Sequence, residues 1–398
     1  MGKTFKELDA NKFEKITEER QRRIDEASEQ ALPKTYPVNE LAGRLHPGRQ
    51  YMKVEKVTVK AEDTKCYRLV PDTERGTLEC AYFQAGQYVN VFLDIEGKKL
   101  NRAYSLSSSP KEALEGYYEL TVKAVEGGLA STYILDNWKE GDSVEISAPA
   151  GFFNYSPIRD AKTVVGIAGG SGITPFLSMA RAIVEGEEDF CLTLLYGTRK
   201  AEGILCREEF DSLAQKTDKI KVVYVLSDEE KDGYEHGFVE AGLIEKYAPQ
   251  KEVYSVFLCG PQAMYQFVDK ELEKIGLEKK YIRHELFGEI HNPAMLEDYP
   301  GCGTESVSVT VSIRDTVKTV KGSVNDTVLQ TLEKNGIEAP ARCRSGECGF
   351  CHSYLKSGKV YTPKRVDGRR LADFKFGYIH PCAAFPLTDI EIEVPAVK

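Results

Sequence analysis

The spacing of hydrophobic positions changes character several times along the chain. In residues 4–31, Phe5, Leu8, Phe13, Ile16, Ile24, Ala27 and Ala31 form a thin apolar stripe among charges, which predicts a surface helix. The stretch LPKTYPVNELAGRLHPG follows with three prolines and reads as irregular. From Tyr51 to Pro149 the runs YMKVEKVTVKA, GQYVNVFLDI, GYYELTVKAV and DSVEISAP are β-rich and broken by Gly, Asp and Pro, the pattern of an antiparallel barrel. At KTVVGIAGGSGITPFLSMARAIVEG the pattern switches to an apolar strand, a glycine-rich turn and a helix. Further apolar strands at FCLTLLYG, IKVVYVLS and YSVFLCG alternate with helix-like segments, which predicts a parallel sheet. GEIHNPAMLEDYPGCGTES reads as a linker. Two strands (SVSVTVSIR and TVKTVKG), a helix (TVLQTLEKNG) and a cysteine-rich loop come after it. The expected units are a helical extension over 1–50, a barrel over 51–157, an α/β domain over 158–288, a linker over 289–303 and a small domain over 304–398.

Composition narrows the function without naming it. Of 398 residues, 41% are hydrophobic and 29% charged, an ordinary globular balance. No apolar run approaches the ~20 residues of a membrane span. A formal charge of -9 argues against general nucleic-acid binding, which needs a basic face. The charged N-terminal stretch has no apolar core of a secretory signal, and most of the ten cysteines are isolated in sequence, so a reducing cytoplasmic setting is expected.

Three cysteines are the exception. Cys343, Cys348 and Cys351 stand as C-x4-C-x2-C in CRSGECGFC, and Cys382 in GYIHPCAAFP completes a set of four. This is the plant-type [2Fe–2S] spacing. Structural zinc sites favour paired C-x2-C knuckles, of which there is one here, and His352 and His380 have the wrong spacing for a Rieske centre. Gly346 and Gly349 suit a loop that bends sharply around sulfur. Residues 304–398 resemble a plant-type ferredoxin, a β-grasp fold.

NRAYSLSS and, further on, VKAVEGGLAS carry R-x-Y-S and G-x-x-S. Together with FQAGQYVNV upstream they resemble the flavin barrel of the ferredoxin–NADP reductase superfamily. The resemblance implies that Arg102 pairs with the flavin pyrophosphate, Tyr104 packs on the isoalloxazine and Ser105 hydrogen-bonds flavin N5. Lys123, Gly128 and Ser131 would line the ribityl and phosphate side. Phe152, Phe153 and Tyr155 in GFFNYS offer rings for adenine, which favours FAD over FMN.

GIAGGSGITPF is similar to the same superfamily's nicotinamide-nucleotide turn. Gly170 and Gly172 make the turn, Thr174 is expected to cap the following helix and Pro175 to stand in its first turn. By the same resemblance Cys259, followed by Gly260 and Pro261, lies near the nicotinamide, and Glu285 and Phe287 match an E-x-aromatic ending in which the aromatic ring covers the flavin. Thr198 and Arg199, with Lys200, suit a 2′-phosphate, whereas Asp228, Glu229 and Glu230 would repel one, so NADH and NADPH both stay open.

The expected architecture is therefore multidomain: a helical arm, an antiparallel β-barrel for FAD, an α/β parallel-sheet nucleotide domain and a β-grasp [2Fe–2S] domain. The resemblance implies an NAD(P)H-dependent oxidoreductase passing electrons through FAD and the cluster to a partner redox protein such as an oxygenase or hybrid-cluster protein. The alternative is reduction of a small acceptor (quinone, flavin or oxygen) with the cluster secondary. Lysines and arginines at 356, 359, 364, 365, 369, 370 and 375 outnumber Asp367 and Asp373, which suits an acidic docking partner.

Overall fold

The structure, a computed structural model, describes residues 10–29, 34–286, 290 and 292–396. The chain divides into an N-terminal unit, residues 1–44, and a second unit holding everything after it. Helix α1 (Ala10–Asp25) ends before the apolar stripe does, and residues 4–9, 30 and 31 of that stripe lie outside the described residues. Arg22 and Arg23 pair with Glu19, and Arg22 with Glu26, one turn apart. The proline-rich stretch is not wholly irregular: α2 (Pro37–Leu45) begins at a proline, whose fixed φ and missing N–H suit a first helical position. No helix among the described residues is long and apolar enough to cross a membrane.

The second unit begins with six antiparallel strands: β1 (Gln50–Ala61), β2 (Thr64–Pro71), β3 (Tyr88–Ile95), β4 (Lys98–Ser105), β5 (Tyr118–Lys123) and β6 (Ser143–Ile146). Their order is β4-β3-β6-β1-β2-β5, and the two edges meet just beyond β4, where Leu106 bridges Leu120. Alternation along the strands sends Met52, Val54, Tyr67, Leu69, Val89, Val91, Leu120 and Val122 into one buried core. Two helices belong to this sheet, α3 (Pro110–Leu114) and α4 (Leu129–Asn137).

Six strands form the next sheet, in the order β10-β9-β8-β7-β11-β12 and parallel throughout. They are β7 (Thr163–Gly169), β8 (Cys191–Thr198), β9 (Ile220–Leu226), β10 (Glu235–His236), β11 (Tyr254–Cys259) and β12 (Ile282–Glu285). Helices α5 (Thr174–Glu185), α6 (Arg207–Gln215), α7 (Ala241–Tyr247) and α8 (Gln262–Ile275) connect them. Strand order reverses between β7 and β11, so the crevice beyond their carboxyl ends is the place where such sheets take ligands. Arg181 on α5 fastens this sheet to the barrel through Glu112 and Glu119, at 2.8 and 3.0 Å, while also holding Glu209 of α6.

The third sheet, β14-β13-β19-β15-β17, is built from β13 (Ser306–Ile313), β14 (Thr316–Ser323), β15 (Ser353–Ser357), β17 (Tyr378–Ile379) and β19 (Ile390–Glu393). A separate pair, β16 (Val360–Tyr361) and β18 (Phe385–Pro386), flanks it. Helix α9 (Val328–Lys334) is started by a reciprocal Thr327–Gln330 cap and buries Val328 and Leu332 among the sheet's valines and isoleucines. The short helix α10 (Leu371–Phe376) lies beside the cysteine loop, its Asp373 2.8 Å from His352. This domain docks on β4: the Asn101 amide donates to the Ala341 carbonyl at 2.8 Å, and Lys99 pairs with Glu338 at 3.2 Å.

Candidate functional site

The four clustered cysteines fall into two pairs. The thiols of Cys343 and Cys348 contact each other, and those of Cys351 and Cys382 lie 3.4 Å apart, with Cys382 also against Cys343. Sulfur is a target for backbone donors here: the N–H of Cys348 points at Cys343 Sγ (3.4 Å) and that of Phe350 at Cys348 Sγ (3.5 Å). Gly346, at φ 85°, has no room for a side chain, because a Cβ would strike the Val366 carbonyl. His380 and His352 brace this loop from outside, the first on the Gly346 carbonyl at 2.6 Å and the second on Asp373. Among the described residues no three His, Cys, Asp or Glu side chains converge as for a single ion. Two irons take two thiolates each, and the chain supplies two thiol pairs, so the donor set fits a [2Fe–2S] cluster.

Ser105 ends β4 opposite Tyr88, and its hydroxyl is buried without a hydrogen-bond partner. A buried orphan hydroxyl is costly, and a flavin nitrogen is a group that would satisfy it. Tyr104 is half-buried, and burial pushes its phenol up to about 12. Arg102 donates to the Asn101 carbonyl at 2.7 Å and approaches Glu333 at 3.5 Å. Gly128 is the N-cap of α4, which has no side-chain cap, so its first N–H groups are open to a phosphate. Lys123 and Ser131 are partly engaged already: Lys123 lies 3.3 Å from Asp63, and the Ser131 hydroxyl accepts from Val125 N at 3.1 Å. Of the three rings offered to adenine, Phe153 is packed on Phe176 and Phe257 and Tyr155 is stacked on Phe190 at 4.4 Å. Phe152, 82% exposed, is the one left accessible.

In the nucleotide domain, Gly170 to Ile173 form a single tight turn leading into α5. Gly172 lies so close to the Cys259 carbonyl that any Cβ would collide with it, which locks the turn against the end of β11. Thr174 does not cap the helix. It is itself the first helical residue, and its hydroxyl donates backwards to the Ser171 carbonyl at 3.1 Å, while Pro175 stands in the first turn as expected. The α5 N-terminus thus has no side-chain cap and suits a pyrophosphate. Cys259 is fully buried and pairs in register with Glu285; the Gly260 N–H donates to the Tyr265 hydroxyl at 2.9 Å, and Pro261 precedes α8. Burial holds the Glu285 carboxyl well above the usual range. Thr198 donates to the Lys200 carbonyl at 3.1 Å, and Glu229 accepts from Ala201 N at 2.9 Å, so an acidic loop closes over the turn containing Arg199. Phe287 lies outside the described residues.

Tyr88 ties these parts together, and no role was expected for it beyond its place in FQAGQYVNV. It faces Ser105 across β3 and β4 and bridges Ala150. Burial pushes its phenol well above the ordinary range, and Cys343, Cys348 and Glu285 are near enough to add to that shift. Glu285 Oε2 lies 3.7 Å from where a Cβ on Gly151 would stand. Barrel serine, nucleotide-domain carboxylate and cysteine loop therefore surround one locus.

Three family profiles match in the same order: an oxidoreductase FAD-binding domain over 51–155, an oxidoreductase NAD-binding domain over 167–270 and a 2Fe-2S iron-sulfur cluster binding domain over 311–387. NADH-cytochrome b5 reductase 1 of Dictyostelium discoideum is 34% identical over 237 residues, covering 59% of this chain and 80% of that protein. The chain belongs to the ferredoxin–NADP reductase superfamily. Within this superfamily it has the arrangement with a C-terminal [2Fe–2S] domain. The glycine betaine monooxygenase reductase subunit of Pseudomonas aeruginosa is 27% identical over 359 residues, 87% of this chain and 95% of that one. The solved structure of phthalate dioxygenase reductase, described as modular for electron transfer from pyridine nucleotides to [2Fe–2S], matches with a TM-score of 0.63 at 25% identity, covering 91% of this chain and all of that one (100%).

A Ser105→Ala reductase is expected to keep FAD affinity nearly unchanged and to be reduced by nicotinamide about tenfold more slowly or worse. Stopped-flow reduction at the native rate would remove Ser105 from the reaction.

Proposed function

We propose that this reductase is the electron-supplying component of an oxygenase system and draws on NADH. The chain is an NAD(P)H-dependent oxidoreductase that passes electrons through FAD and a [2Fe–2S] cluster. When bound, FAD accepts the two electrons of a hydride and releases them singly, as the cluster requires. The observation that carries the reading is that Ser105 stands opposite Tyr88 on the barrel, with Glu285 of the nucleotide domain and the cysteine loop in the neighbourhood of that tyrosine. Ser105 fixes the flavin ring, Arg102 and the α4 N-terminus hold its phosphates, and the Gly170–Ile173 turn with the α5 N-terminus takes the nicotinamide nucleotide's pyrophosphate. Glu229 and Asp228 beside Thr198 and Arg199 favour a ribose diol over a 2′-phosphate, hence NADH. Reductase subunits of oxygenases among the relatives support an oxygenase as the acceptor, in preference to a hybrid-cluster protein or a small molecule.

Mixing the anaerobic protein with NADH or NADPH tests this directly. Fast flavin bleaching by NADH, followed by loss of cluster absorbance, is the expected result. Bleaching confined to the flavin would favour the small-acceptor reading, and equal rates with both donors would remove the argument from Glu229.

The electron exit is proposed at the outer face of the cysteine loop, where Phe350, Leu371, Phe374 and Phe376 are exposed. The basic patch there is partly neutralised, Arg369 by Asp367 and Lys356 by Glu391 and Glu393. Docking should therefore depend on salt only moderately: acceptor reduction is expected to fall severalfold between ~0.01 and ~0.15 M ionic strength. A rate independent of salt would leave the apolar residues as the whole of the contact.

A further inference from the structure

The ferredoxin domain puts a carboxylate beside the arginine assigned to the flavin pyrophosphate. Glu333 on α9 is 9% exposed and is gripped by Arg344 in a two-pronged pair, 2.7 Å on each oxygen. Arg102, on the barrel, approaches the same carboxylate at 3.5 Å. Arg344 belongs to the cysteine loop, directly after Cys343, with 3% exposure and a left-handed φ of 59°. It also reaches Asn101 Oδ1 at 3.2 Å, next to Arg102 in the chain. One buried carboxylate thus joins an arginine of the cluster loop to an arginine of the flavin motif.

The charges decide what this junction does. Two guanidiniums and one carboxylate leave a single net positive charge to meet a pyrophosphate. Without Arg344, Glu333 would have only Arg102 as its partner: the pair would carry no net charge, and Arg102 would be held on the carboxylate instead of meeting the phosphates. At low local dielectric such an attraction acts strongly over a few ångströms. We infer that Arg344, a residue of the cluster loop, keeps Arg102 available to FAD by neutralising Glu333, so that FAD binding and the seating of the ferredoxin domain are one coupled equilibrium. The inference rests on the reading of Arg102 as a phosphate partner. Coupling is reciprocal: bound FAD draws Arg102 off Glu333, which leaves that carboxylate wholly to Arg344 and steadies the loop that carries the cluster. Arg344 and Glu333 are positioning residues, acting through Arg102.

The test is FAD titration into the flavin-depleted full-length chain, followed by quenching of flavin fluorescence, with the cluster's visible spectrum recorded alongside. Arg344→Gln is expected to weaken FAD binding about tenfold or more. Glu333→Gln should bind FAD at least as tightly as the native chain. The double variant Glu333→Gln/Arg344→Gln should recover to within about threefold of Glu333→Gln alone. A cysteine loop merely damaged by losing Arg344 would not be repaired by a second substitution, so this rescue separates electrostatic coupling from misfolding. Native affinity in Arg344→Gln, or a defect that persists in the double variant, would overturn the coupling. Arg102→Gln separates the two levels. If it weakens FAD binding while Arg344→Gln does not, the coupling alone fails. If it leaves FAD affinity unchanged, the phosphate role of Arg102 fails and the coupling with it.

Discussion

An Arg181→Met chain is expected to be about 3–5 kcal/mol less stable than the native one near neutral pH, although the substitution nearly conserves volume. Arg181 is 13% exposed and holds three carboxylates from two domains: Glu112 and Glu119 of the barrel and Glu209 of the nucleotide domain. Removing the cation leaves those acids close together and poorly hydrated. Burial by itself pushes the Glu119 carboxyl up, but Arg181 and Arg68 more than offset it and leave it below 4.5. A carboxylate depressed in the folded state contributes stability that is complete above its unfolded pKa and is lost as pH falls through the folded value. In the variant the burial remains and its main counterweight is gone, so the carboxyl rises and stability declines as pH increases. The gap between the two chains should therefore widen from pH ~4 to ~8 and shrink towards acid. Urea unfolding midpoints across that range check the sign. A gap constant with pH would mean that packing, rather than charge, is what Arg181 contributes.

Arg181 also shows where reading the sequence stops. The elements with local signals were legible. β-rich runs broken by Gly, Asp and Pro marked the barrel strands, apolar runs between helical segments marked the parallel sheet, and the C-x4-C-x2-C spacing marked the cysteine loop because a tight loop must supply those thiols from adjacent positions. The GGSGITP turn was legible for a similar reason: Gly172 is forced by the Cys259 carbonyl, and glycine is visible as a letter. Local rules failed where two of them compete. Three prolines outweighed the helix signal of PVNELAGRL, although one of them stands where a proline starts a helix. Thr174 looked like a cap, yet the preceding turn already begins the helical path and moves the threonine inside it. Phe153 and Tyr155 looked available for adenine, but a ring's partners are chosen by tertiary packing, which placed them on Phe176, Phe257 and Phe190. The contacts that join domains had no local signal at all. Arg102 and Glu333 are 231 positions apart, and Asn101 and Ala341 240 apart, so neither periodicity nor motif spacing points from one to the other. The same holds for Tyr88, which belongs to the barrel and lies near groups of the other two domains.

The division of labour among those domains leads to the second large effect. Cys382→Ser should yield a folded reductase without its cluster, iron and acid-labile sulfide falling to background. Cys382 is 2% exposed and sits against the thiols of both Cys351 and Cys343, so it touches both halves of the ligand set. A hydroxyl fills nearly the same space but stays protonated where a thiol ionises, and it is a poor ligand for iron. The nucleotide turn and the Ser105 pocket lie on other sheets, so NADH-driven reduction of ferricyanide, a small one-electron acceptor able to meet the flavin directly, should stay within about twofold of native. Transfer to the protein acceptor should vanish. The contrast carries more information than either rate alone, because misfolding would depress both. If the cluster-free chain still reduced its protein acceptor, electrons would be leaving from the flavin. The docking of Asn101 on Ala341 and of Lys99 on Glu338 would then hold a domain that the main route bypasses. Loss of protein reduction with ferricyanide activity intact would instead place the only exit on the far side of the cysteine loop, beyond Phe350, and any acceptor would have to fit that face.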